Sequence, residues 1–118
     1  MSHTAIWIDH HKASIYTFTA TGVEEKTVAA SEKKLDKEHQ KKFYHEVAQA
    51  LSNPEKIVLL GPGQAKEEFK HHCETHHHRQ LMEAIVGVEN MKDHPSKAEI
   101  MAKANSFFSN YFQWNSLT

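Results

Sequence analysis

Two groups of residues in this chain have types and spacings that suit chemistry: a crowd of histidines and a glycine turn. The stretch FKHHCETHHHR, from Phe69 to Arg79, holds five of the eleven histidines and the single cysteine. On a helix, positions four apart share a face, so His72 pairs with His76 and Cys73 with His77. Imidazole and thiolate are the donors that zinc or nickel prefers, which makes His72, Cys73, His76 and His77 candidate metal ligands. Cys73 also continues the apolar stripe begun by Ala65 and Phe69, a placement equally suited to a core. A closed zinc site needs three or four ligands, and His10, His11 or His94 would have to arrive from other loops.

The second group is LLGPGQAK. A strand that breaks into glycines and then into a helix aims backbone amides, and the positive end of the helix, at whatever lies above the turn. Gly61, Pro62, Gly63 and Lys66 are therefore candidate contacts for phosphate or RNA. His10, His11 and Lys12, at the tip of an expected hairpin, are candidates beside them. The turn matches neither the dinucleotide fingerprint nor a P-loop, and glycine could serve there only to permit tight geometry.

Asp9 suggests a third chemistry. A carboxylate at the end of a first strand is where two-metal nucleases hold their ions, but such sites need further acids. The available partners are Glu46, Glu89 and Asp93, none of them in the glycine turn. The plainer role for Asp9 is to cap the hairpin. No nucleophile motif occurs. Lys33, Lys34, Lys37, Lys41 and Lys42 interleave with Glu32, Asp36 and Glu38, the pattern of a solvated face.

These residues must be positioned by regular elements. Ala5 to Asp9, Ala13 to Thr19 and Val23 to Val28 have the apolar and β-branched patterning of strands, with short polar turns between them, as in an antiparallel meander. Phe43, Val47, Ala50 and Leu51 recur at helical spacing over 38–52. Lys56 to Leu60 is a short apolar run typical of a strand buried on both faces. A helix from about Gln64, a strand over Ile85 to Val88 and a last helix opened by the capping pair Ser96 and Glu99 complete the chain. The aromatics of that last helix, from Phe107 to Trp114, should be mostly core, with enough excess for a homodimer contact. The order predicts an α/β fold: one mixed sheet of five strands with helices on its faces, in the succession of the ribonuclease H-like fold.

Composition limits the function classes. The chain has 118 residues, Lys+Arg 14 against Asp+Glu 15, and 39% hydrophobic residues. That suits one globular domain over 1–118, with a structured core over about 5–112. A formal charge of −1 is not that of a strongly basic nucleic-acid binder. No apolar run is long enough for a membrane span and the N-terminus has no signal pattern, so the expected location is the cytoplasm. One cysteine excludes an internal disulfide.

The residues also carry a resemblance. Trp7-Ile8-Asp9-His10, Ile57 to Gly63 followed by Lys66 and Phe69, Ile85 to Glu89, and Asp93-His94-Pro95 together resemble small bacterial "translational machinery" proteins. Those in turn are similar to the middle domain of archaeal and eukaryotic peptide-chain release factors and of Pelota. The resemblance runs from about Ala5 to Phe112. It implies a ribonuclease H-like fold, no required cofactor, and a partner in the ribosome, RNA or a translation factor. Release factors act through a Gly-Gly-Gln loop. This sequence has none, and Gly63-Gln64 is a turn running into a helix, so the resemblance implies no peptidyl-tRNA hydrolase and assigns no catalytic residue.

Overall fold

A computed structural model describes residues 3–30, 36–51, 54–76 and 79–116, which form five strands and four helices. The meander is present: β1 (His3–Ile8), β2 (Lys12–Thr19) and β3 (Gly22–Ala29) pair antiparallel, with Ile8 opposite Ala13 and Ser14 opposite Thr27. β4 (Lys56–Gly61) lies parallel to β1, and β5 (Ile85–Asn90) parallel to β4. The sheet order is β3-β2-β1-β4-β5, a mixed α/β arrangement consistent with the ribonuclease H-like expectation.

The helices are α1 (Lys37–Gln49), α2 (Ala65–Thr75), α3 (Arg79–Ala84) and α4 (Lys97–Ser116). Alternation along the strands sorts side chains to two cores. On one face Ile6, Ile8, Ile15, Ile57 and Leu59 pack with Phe43, Val47, Phe69 and Cys73 from α1 and α2. On the other, Ala5, Trp7, Tyr16, Val58 and Leu60 pack with Ile100, Ala104 and Phe108 of α4. β1 and β4 are thus covered on both sides, which is why their sequences are apolar without alternation. β3 lies at the sheet edge and is almost wholly exposed.

Local sequence explains most of the boundaries. Asp36 caps α1 by accepting the His39 amide at 2.9 Å. Ser96 and Glu99 form the reciprocal capping box, with bonds of 3.0 and 3.1 Å. Lys92 pairs with Glu99 at 2.6 Å, and this pair, followed by the Ser96 amide, holds the Glu99 carboxyl down to about 2. Gly87 lets α4 approach β5 closely, since a Cβ there would strike the Phe107 ring.

Three features differ from expectation. β1 ends at Ile8, which leaves Asp9 to the turn. α1 stops at the Ala50 cap, before Pro54 can act. The third, α3, has only six residues, too short for a periodic signal. The segment Ser31 to Leu35, including Lys33 and Lys34, lies outside the described residues, as does His77.

Candidate functional site

The chemistry-bearing residues gather where β1 and β4 end. There Asp9 turns the chain: its Oδ1 accepts the amides of His11 at 2.8 Å and Lys12 at 2.7 Å. Its own amide donates to the Lys12 carbonyl at 3.0 Å. This is the side-chain-to-backbone bonding that aspartate offers turns. Glu89, the acid proposed as its partner in a nuclease, faces the α4 side and pairs with Lys103 at 3.3 Å. The two carboxylates do not share a site.

The glycine turn stands beside Asp9. Gly61 has φ +153°, and a Cβ on it would run into the Ile8 carbonyl, so this glycine lets β4 and β1 end in contact. Its carbonyl accepts the Met91 amide at 3.0 Å. Gly63, at φ +59°, faces open space. Lys66 is turned inward: it is 2% exposed, and its ammonium donates to the Gly63 carbonyl. It ties the turn from below and does not reach into solvent.

A polar cluster joins the hairpin tip to the helices. His10 Nε2 lies 3.3 Å from Glu68 Oε1, and the Tyr44 hydroxyl donates to the same oxygen at 2.9 Å. Burial first, then the Glu68 bond and charge, push the Tyr44 hydroxyl far above its ordinary pKa, so it serves as a donor. Gln40 Nε2 donates to the His10 carbonyl at 2.9 Å. These residues, with Lys37, Lys41, His71, His72 and Thr75, line a cleft of about 530 Å³ between the tip, α1 and α2.

The histidine crowd resolves into separate environments. His72 is buried and stacks on His76 with ring centroids 4.3 Å apart, beside His45 at 6.5 Å. His76 Nδ1 lies 2.9 Å from the Thr75 hydroxyl, and His71 is 3.8 Å from Glu74. Cys73 is fully buried in the first core, where burial, and secondarily Glu74, push its thiol up to about 11. A protonated, enclosed thiol is a poor metal ligand. Among the described residues no three His, Cys, Asp or Glu side chains are grouped to hold a metal ion. The candidate zinc arrangement is therefore not formed by His72, His76 and Cys73.

Because β1 and β4 are parallel, His10, His11 and Lys12 lie at the same end of the sheet as the turn Gly61-Pro62-Gly63. Tyr44, Gln40 and Glu68 escaped sequence reasoning. Tyr44 adjoins Phe43 on the stripe of α1, but only the packing of α1 against α2 reveals its partner. The aromatic excess of α4 is divided: Phe108 is core, Phe107 covers Gly87, and Phe112 is exposed beside His3 at 4.8 Å. No helix among the described residues is long and apolar enough to cross a membrane.

No protein-family model and no curated protein matches the sequence. Solved structures do match the fold. The Pelota protein of Thermoplasma acidophilum superposes with a TM-score of 0.61 at 20% identity, over 85% of this chain and 30% of that one. The archaeal translation termination factor aRF1 gives 0.66 at 15% identity, over 87% and 33%. Dom34 of S. cerevisiae gives 0.62 at 15% identity, over 85% and 31%. The chain spans about a third of the length of each, and its fold is the one expected from the resemblance to the middle domain of release factors and Pelota.

Proposed function

We propose that this chain is a non-catalytic module that docks on the translation apparatus, through the ribosome, a tRNA or a translation factor. The observation that carries the reading is the likeness of fold to Pelota, aRF1 and Dom34. The second is a translation termination factor; the third is described as a translation termination-like factor involved in RNA quality control pathways and interacting with Hbs1. A non-catalytic role is supported by the sequence, which has no Gly-Gly-Gln loop. It is supported also by Asp9, whose carboxylate holds the hairpin.

The contact surface in this reading is the edge formed by the hairpin tip and the glycine turn. His11, Lys12 and Gly63 are exposed there, and Lys12 presents a cation to a phosphate. The test is sedimentation of native cell extract through a sucrose gradient at low salt. The protein is expected in ribosomal fractions, to leave them as salt rises, and to be weakened there by His11→Ala with Lys12→Ala. Confinement to the free fraction under several growth conditions would overturn the reading.

A further inference from the structure

The strand β5 closes the sheet on the side away from β3, with β4 as its one strand neighbour among the described residues. Its sequence is IVGVEN, β-branched and apolar up to Glu89. Ile85 and Val88 pack against the first core and Val86 against the second, yet each is only half-buried. A short β-branched strand of this kind is suited to extension by a further strand.

The α4 side of β5 carries a groove of about 390 Å³, whose lining includes Val86, Glu89, Lys103, Phe107 and Tyr111. A strand added to β5 would lie along this groove and cover it. The charges around the groove are polarised along the strand. Glu89 stands near the end of β5 and faces α4, where it pairs with Lys103. Lys56 stands at the other end on β4 and faces α4 too, its ammonium 5.9 Å from the centre of the Tyr111 ring. Ile57 is opposite Ile85 and Leu60 opposite Glu89, so the acid and this lysine lie roughly 13 Å apart along the sheet, too far to pair within one chain.

An antiparallel copy reverses that polarity. About a two-fold axis near Gly87, the middle of the strand, Glu89 of each chain reaches the start of the other's β5, on the α4 face where the other's Lys56 projects. The strand and its groove are thus complementary to themselves, as an isologous contact requires.

We propose that β5 pairs antiparallel with the β5 of a second copy about this axis, joining two sheets into one and making the chain a homodimer. The two α4 helices flank the seam on one face and enclose the groove between them. The pairing does not rest on docking to the translation apparatus.

Sedimentation equilibrium of the full chain between about 5 and 500 µM tests it, and a dimer is expected with a Kd below about 50 µM. Glu89→Lys sets like charges against each other across the seam and should weaken the dimer about tenfold, as should Lys56→Glu. The double variant restores opposite signs and should return to within about threefold of the native Kd. Hydrogen exchange of the native chain needs no variant. The amides of Val86 to Asn90 should exchange about threefold more slowly at the upper concentration than at the lower, and those of β3 equally at both. A monomer throughout the range would overturn the proposal. So would a double variant weaker than either single one, or concentration-dependent protection at β3 rather than β5. Protection of β5 that arises only on adding cell extract would give the seam to a strand of another protein and overturn it as well.

Discussion

Two glycines two positions apart have unequal duties. Gly61 combines a left-handed φ with a Cβ position already occupied by the Ile8 carbonyl, whereas Gly63 has the positive φ and free space around it. Gly63→Ala should cost only the backbone strain, about 1 kcal/mol. Gly61→Ala must also part the ends of β1 and β4, and should cost roughly 3 kcal/mol or more. Urea denaturation of the two variants measures the difference, and equal losses would contradict the close approach described. The glycine turn stands out in the sequence; this inequality does not, because it depends on how near β1 passes. Lys66 shows the same limit. Its position after the turn reads as an outward cation, yet packing buries it and gives the ammonium to the Gly63 carbonyl.

At the level of single elements, the start of α4 is a charge-supported cap. Its stop and start signals are local, so Ser96 and Glu99 are readable as a pair from spacing alone. The contribution of Lys92 comes from the preceding loop and is not. Glu99 is held well below the ordinary carboxylate value near 4.5, at about 2, by Lys92 and the Ser96 amide. A carboxyl with a lowered folded-state pKa adds stability that is complete above its unfolded value and fades as acid approaches the folded value. The stability difference between the native chain and Glu99→Gln should therefore be constant above about pH 5 and shrink between about pH 4.5 and pH 2. Thermal melts across that window check it; a difference independent of pH would mean that the carboxyl gains nothing from its partners. The six residues of α3 illustrate the converse, since a helix of under two turns leaves no period to detect.

For the molecule as a whole, apolar patterning anticipates both cores, because strands covered on two faces and helices covered on one have distinct periods. It does not anticipate which polar side chains meet between helices: the Tyr44, Glu68 and His10 cluster exists only once α1 and α2 lie side by side. The histidines act at this scale too. Formal charge is −1 with all eleven neutral and +10 with all protonated.

The exposed edge strand β3 has one more consequence. A sheet edge is an open row of backbone donors and acceptors, ready to recruit a strand from another molecule. Here the middle of that row is Glu24-Glu25-Lys26, with Glu25 bound to Lys97 at 3.1 Å and Lys26 donating to the Ala50 carbonyl at 3.2 Å. Charges on both faces make the approach of a second chain electrostatically and sterically costly, so this stretch disfavours edge-to-edge pairing of one sheet with another.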